Sequence, residues 1–164
     1  MKLVLIALLV LATPALALAE EPTGFRDIPW GATEKALRAK VRLQECHAAG
    51  QHDFGRRTCY AKDGLKFGEI LPMQVAFYFR EDRLVAWQVM YNRSWRPTMG
   101  AALVERYGKP TDENREGRTW LGPRTRMTLT NYAETDFLRV VTQEEIGSHA
   151  ADRKRAAEKA SKGF

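Results

Sequence analysis

The chain has 164 residues, of which 45% are hydrophobic and 28% are charged, and its formal net charge is +6. This length suits one domain with one hydrophobic core. The modest basic excess lacks the concentrated stripe of a nucleic-acid-binding protein, so we expect no nucleic acid and only weak attraction to anionic surfaces.

The first 19 residues have the order of parts of a cleavable export signal. Lys2 supplies a positive charge, residues 3–12 are apolar without a break, and Pro14 ends the helix. The run is shorter than the roughly 20 residues that span a bilayer, so an uncleaved membrane anchor is the less favoured alternative. We predict cleavage after Ala19, which removes one lysine and leaves a net charge of +5. The product would be periplasmic or secreted, without a stable membrane span.

Residues 20–147 are predicted to form a single domain that begins with an extended segment. Pro29 disfavours helix at the residue before it, and Gly31 permits a turn. Thr33 is a good N-cap residue, which predicts a first helix that runs to about residue 43.

Cys46 and Cys59 enclose a loop of twelve residues. In an oxidising compartment such a pair is most simply a disulfide, and the chain-entropy argument gives it about 3 kcal/mol. A metal site is the alternative, since His47 and His52 fall in the same loop, but structural zinc normally needs closer cysteine pairs. Free thiols are a third possibility. We predict the disulfide, no metal and no cofactor. A lipid anchor is not expected, because no cysteine directly follows the predicted export signal.

Alternating apolar and polar residues predict a run of strands after this loop. Residues 73–80 and 83–92 alternate well, and Glu81-Asp82 between them is short enough for a hairpin turn. Residues 65–71 predict a further short strand. Both faces of the two longer strands carry apolar side chains, which indicates a central position in the sheet.

A second helix is predicted over residues 98–107, where Gly108 and Pro110 end it. Three more strands follow, at residues 118–121, 124–132 and 136–144. The predicted fold class is α+β: an antiparallel sheet packed by two helices, arranged as two tandem units of one helix plus three strands.

Residues 148–164 are predicted to be a basic, alanine-rich tail. Ser148 is a possible helix cap, and this segment contains five Lys and Arg residues but only two acidic residues. Without large apolar side chains this helix buries little surface, so we expect it to be solvated and to fray. Contact with an anionic surface or a partner is the alternative.

The sequence contains no catalytic signature. Its three histidines lie in the cysteine loop and at the start of the tail, and no serine stands in a nucleophile elbow. We therefore predict that the protein is not an enzyme. The alternative is an envelope hydrolase or metal-dependent enzyme that uses His47 and His52.

Arginines beside aromatic residues are the predicted binding residues. Trp and Arg are enriched at binding hot spots, and Arg holds carboxylate or phosphate through a fork of donors. Trp95 lies in a loop between two arginines and is predicted to be partly exposed, whereas the other tryptophans are expected in the core. The candidates are Arg56, Arg57, Arg93, Trp95 and Arg96.

Two motifs, FRDIPWG at residues 25–31 and RYGKP at residues 106–110, resemble those of a group of small exported proteobacterial proteins. The doubled helix-and-strand layout is similar to that of the β-lactamase inhibitor proteins and, more loosely, to SmpA-type outer-membrane assembly lipoproteins. These resemblances imply binding and not catalysis.

The predicted function is therefore a small binding or protein-interaction module that acts, as a monomer, through an exposed sheet face and the basic-aromatic loops. Its expected partner is an envelope protein or an anionic envelope component. The reason is that the strands are apolar on both faces while only two helices are available to cover them. A purely structural or folding-accessory role is the other alternative.

Overall fold

The computed structural model describes residues 20–50, 53–62, 64–132 and 134–161. The predicted export signal and His52 lie outside the described residues. Three α-helices are described: α1 (Glu34–Arg38), α2 (Arg96–Tyr107) and α3 (Gln143–Ser161). The strands are β1 (Gly24–Phe25), β2 (Ile28–Pro29), β3 (His47–Ala48), β4 (Arg57–Tyr60), β5 (Gln74–Arg80), β6 (Arg83–Asn92), β7 (Asp112–Asn114), β8 (Gly117–Leu121), β9 (Thr125–Asn131) and β10 (Thr135–Thr142).

Eight strands form one antiparallel sheet in the order β3-β4-β5-β6-β10-β9-β8-β7, and β1 and β2 form a separate small hairpin. The predicted α+β class with an antiparallel sheet is confirmed. Each of α1 and α2 is followed by four strands of this sheet and not by the predicted three. In the first series β3 and β4, from the predicted cysteine loop, take the place of the predicted strand at residues 65–71, and in the second series β7 adds a short edge strand. The last strands of the two series, β6 and β10, pair at its centre.

The hairpin of β5 and β6 lies where the alternation predicts it. Glu81 and Asp82 both have left-handed backbone angles, with φ of 50° and 58°, as a two-residue turn matched to the twist of the strands requires. β6 covers residues 83–92, as predicted. The predicted strand at residues 65–71 is wrong: Phe67 and Ile70 bond to each other across a tight turn instead.

The helix caps agree better with the sequence than the helix lengths do. Thr33 Oγ1 accepts a hydrogen bond from the Ala36 N–H at 3.2 Å, which confirms this N-cap. However, α1 ends at Arg38, well before residue 43, because only Leu37 of the helix is buried and a single anchor supports little more than one turn. Gly108 ends α2 as predicted, with φ of 78°.

The C-terminal helix begins earlier than predicted. Strand β10 ends at Thr142, whose Oγ1 accepts from the Glu145 N–H at 3.2 Å, and α3 starts directly at Gln143. Ser148 is therefore no helix cap, and the predicted boundary at residue 148 falls inside a continuous helix.

The main core lies between one face of the sheet and a layer formed by α1, α2 and the β1–β2 hairpin. Phe25 of the hairpin packs edge-on against Phe77 and Trp87, with ring centroids 4.8 and 5.4 Å away. Burial of one such side chain contributes about 1.5–3 kcal/mol, so the hairpin is an integral part of the core. Within the described ranges, no helix combines the length and apolar character needed to cross a membrane.

Candidate functional site

The second face of the sheet is covered only in part. Strand register places Arg126 and Thr128 of β9 beside Val141 and Arg139 of β10, all on the face opposite the main core. Helix α3 packs over one region of this face through Ile146. The remainder forms an open depression of about 640 Å³, which we call the sheet trough. Its side chains include Phe54, Arg126, Tyr132, Phe137, Arg139 and Ile146.

Aromatic side chains in the sheet trough stand in defined positions. Tyr132 is 66% exposed, and its ring meets the edge of Phe137 at a centroid distance of 5.9 Å. The Arg139 guanidinium lies 5.4 Å from the Phe54 ring, and its Nε donates to Gln88 Oε1 at 2.6 Å. Such packing fixes the side chains before any partner arrives, which lowers the entropy cost of binding.

The electrostatics of the sheet trough are positive. Arg126 is exposed and Arg139 is half-buried, and none of the described residues that line the trough is acidic. On the same face, burial raises the pKa of Tyr78 to about 12, so this phenol adds no negative charge even at about pH 10, where an ordinary tyrosine is half ionised. A face of this kind suits an acidic partner surface.

The structure gives the predicted binding residues near α2 different environments. Arg93 is exposed, and Trp95 is half-buried against the main core. Arg96 donates its Nε and Nη2 to the two carboxylate oxygens of Asp136, both at 2.6 Å. Because Asp136 is fully buried, Arg96 is held in the fold by this ion pair.

The other two predicted arginines lie elsewhere. Arg57 pairs with Phe79, which pairs with Leu84 near the start of β6, whereas Arg93 follows the end of β6. At about 3.3 Å per residue, Leu84 and Asn92 of β6 are roughly 26 Å apart, so the candidates do not form one patch. Arg57 contacts Glu34 at 2.9 Å and Arg56 contacts Asp152 at 2.8 Å.

Sequence reasoning missed the acids that hold these arginines. Asp136 lies two residues before Leu138 and four before Val140 on β10, so its side chain is on the same, core-facing side of the strand. This alternation was the sequence signal that could have identified Asp136 as a buried acid. A carboxylate at an inward position needs a charged or hydrogen-bonding partner. A second buried acid, Glu145, accepts a hydrogen bond from Arg80 Nε at 2.5 Å. It carried no comparable signal, because it follows the end of the strand pattern.

The predicted disulfide between Cys46 and Cys59 is confirmed, with the sulfur atoms 2.04 Å apart. Arg38 Nη2 donates to Cys46 Sγ at 3.1 Å, and Glu34 lies close to both sulfurs. Sulfurs bonded to each other are not thiolate ligands, so the oxidised cysteines cannot complete a metal site. His47 is exposed with its ring 5.4 Å from that of Tyr60, while His52, its proposed companion, is not among the described residues.

Comparison with protein-family models, with curated proteins and with solved structures finds no significant match to this chain.

Proposed function

We propose that this protein is an exported binding module, periplasmic or secreted, that holds an acidic surface of an envelope protein in the sheet trough. The observation that supports this most directly is the combination of half-exposed aromatic rings and unopposed arginines on an open sheet face. Aromatic residues and arginine dominate the energetics of protein interfaces. A large apolar surface left open on a folded protein commonly marks an interaction site.

One of the predicted binding residues, Arg93, lies at one end of this surface. The Arg93 N–H donates to the Glu134 carbonyl at 3.2 Å, which places Arg93 beside the turn between β9 and β10. Tyr132 lies at the same turn. Arg93 would therefore extend the positive surface of the sheet trough, whereas Arg96 would act only by holding α2 against β10.

Two features support the proposed compartment. The leader at residues 1–19 has the parts of an export signal, and the Cys46–Cys59 disulfide is of a kind that persists in oxidising environments. The repeated order of a helix followed by four neighbouring strands supports descent from two tandem units. The proposed kinship with small exported proteobacterial proteins rests on the motifs at residues 25–31 and 106–110.

Site-specific photo-crosslinking tests the proposed surface. A photoreactive phenylalanine at Thr128, inside the sheet trough, is compared with one at Ala101, which is exposed on α2 behind the sheet. We expect a discrete protein adduct from Thr128 in intact cells and none from Ala101. The adduct should weaken at least tenfold when Arg126 is changed to Glu and persist in the Arg115→Glu control. Equal adducts from both positions, or no adduct from Thr128, would refute the proposal.

A further inference from the structure

A larger cavity of about 800 Å³ opens on the main-core face of the sheet, the face that carries α1 and α2. One wall is α2, and the other consists of the β1–β2 hairpin and the loop at residues 66–70. We call this cavity the helical cleft. It is separated from the sheet trough by the thickness of the sheet, so the two sites are independent.

The interior of the helical cleft is apolar. Trp87, Met127 and Leu138, from three adjacent strands, form its floor and are each less than a tenth exposed. Phe67 and Leu103 stand on opposite walls. Cavities of this size with such lining commonly hold small molecules with a large hydrocarbon portion.

Three cations stand at the mouth of the helical cleft: Arg26, Lys66 and Arg106. The Arg26 guanidinium lies 5.5 and 5.4 Å from the Phe25 and Phe67 rings, and it donates to the Lys66 carbonyl at 2.5 Å. Across the cleft, the Arg106 guanidinium lies 5.4 Å from the Tyr107 ring. Both arginines are thus positioned by aromatic faces, which leaves guanidinium donors for a ligand.

The acids at the same mouth offset these cations only in part. The Glu21 carboxylate accepts hydrogen bonds from Arg124 Nε at 2.7 Å and from the Thr125 N–H at 3.1 Å. Burial on its own would raise the pKa of Glu21, but these bonds outweigh it and hold the pKa below its ordinary value. Glu20 and Glu69 are exposed. Three cations therefore face two uncommitted carboxylates, an excess that favours a ligand with a negative head.

We propose that the helical cleft binds a single-chain anionic amphiphile, with its hydrocarbon tail on the floor and a carboxylate or phosphate head between Arg26 and Arg106. This site adds a small-molecule ligand to a protein proposed above to hold a protein partner. Neither activity requires the other.

Calorimetry with defined amphiphiles below their micelle concentrations tests this assignment on the oxidised chain from residue 20 onward. Dodecanoate and dodecyl phosphate should each bind with 1:1 stoichiometry. Each methylene removed from the tail should weaken binding about fourfold. Dodecyltrimethylammonium, which has the same tail and the opposite charge, should bind at least tenfold more weakly. Absence of 1:1 binding by both anionic probes, or equal affinity for the cationic one, would overturn the proposal.

Two neighbouring alanines of α2 provide a matched pair of variants. Ala101 and Ala102 are both exposed, but only Ala102 lines the helical cleft. We expect Ala102→Trp to weaken dodecanoate binding at least tenfold and Ala101→Trp to leave it unchanged, with the same melting temperature for both. Equal effects on binding would contradict the assigned position of the tail.

The head group is tested through the charge of one arginine. Arg106→Gln should weaken dodecanoate binding at least fivefold while leaving the affinity for uncharged dodecanol unchanged. An equal loss for both ligands would show that Arg106 contributes only packing and would overturn its role at the head group. Because none of these measurements involves the sheet trough, failure here and failure of the proposed partner binding are separate results.

Discussion

Arg96 and Asp136 form a two-point ion pair that fastens the first turn of α2 to the start of β10, with both oxygens of the buried carboxylate engaged at 2.6 Å. The Tyr91 hydroxyl is buried nearby and has no hydrogen-bond partner among the described residues. Burial raises the pKa of Tyr91, and the charge of Asp136 adds to this shift. Because Asp136 is buried and both of its oxygens are bonded to Arg96, the role of this arginine is structural, although its sequence context is typical of a binding residue.

Removal of this arginine should destabilise the protein. Arg96→Ala leaves the Asp136 carboxylate buried without its counter-ion, and loss of one partner of a buried pair costs about 3–5 kcal/mol. Urea denaturation should show a loss of this order in the free energy of unfolding. Arg83→Ala, at an exposed position, should change it by less than about 0.5 kcal/mol. If the two variants were equally stable, the structural role given to Arg96 would be wrong.

The docking of α3 should depend on one buried carboxylate. Glu145 accepts from the Gly55 N–H at 2.8 Å and from Arg80 Nε at 2.5 Å. Hydrogen bonds to charged groups contribute about 1.5–3 kcal/mol each, so Glu145→Gln should weaken the attachment of the helix to the sheet. Amide hydrogen exchange in residues 146–161 should then accelerate at least tenfold.

The adjacent Glu144 is exposed and provides the matched control for the docking of α3. Glu144→Gln should leave the exchange rates of α3 unchanged. Rapid exchange throughout α3 in the unmodified protein would instead support the solvated tail expected from its composition.

The disulfide should account for a large part of the stability. The chain-entropy argument assigns about 3 kcal/mol to a loop of this length, and the Cys46→Ala, Cys59→Ala double variant should lose about that amount. The denaturation midpoint should fall by a similar margin when the unmodified protein is reduced. An unchanged midpoint after complete reduction would show that the covalent link adds nothing to the fold.

Acid should weaken the protein partly through Glu34. A hydrogen bond from Arg38 is the main cause that lowers the pKa of Glu34 below 4.5, and the Arg57 charge adds to it. A group whose pKa is depressed by folding stabilises the folded state above its unfolded pKa, and this contribution is lost as pH falls through the folded value. Glu34→Gln should therefore flatten the fall in stability as the pH drops below 4.5, the ordinary pKa of this carboxyl. The exposed Glu45→Gln variant should keep the slope of the unmodified protein.

Local sequence patterns were sufficient to predict the elements that are determined by residues close together in the chain. The β5–β6 hairpin follows from alternation and a two-residue turn, and the end of α2 follows from Gly108. The Thr33 cap likewise involves residues three positions apart.

Features that depend on contacts between residues far apart in the chain could not be predicted from local sequence patterns. Strands β3 and β7 have only two and three residues, and their partners in the sheet define them as strands. The attachment of α3 depends on Arg80 and Glu145, which are 65 positions apart. The sheet trough forms because Phe54 and Ile146 lie against the face of β9 and β10. The alternation of apolar residues along a strand does not predict such contacts between distant segments.

The binding role of the sheet trough is tested most directly by the affinity of the oxidised protein for the partner identified by crosslinking at Thr128. The double variant Arg126→Glu, Arg139→Glu should lower this affinity at least a hundredfold, whereas Arg115→Glu and Ala102→Trp should each leave it within twofold. If the double variant, with its melting temperature preserved, bound that partner as tightly as the unmodified protein, the positive sheet trough would not be the binding surface.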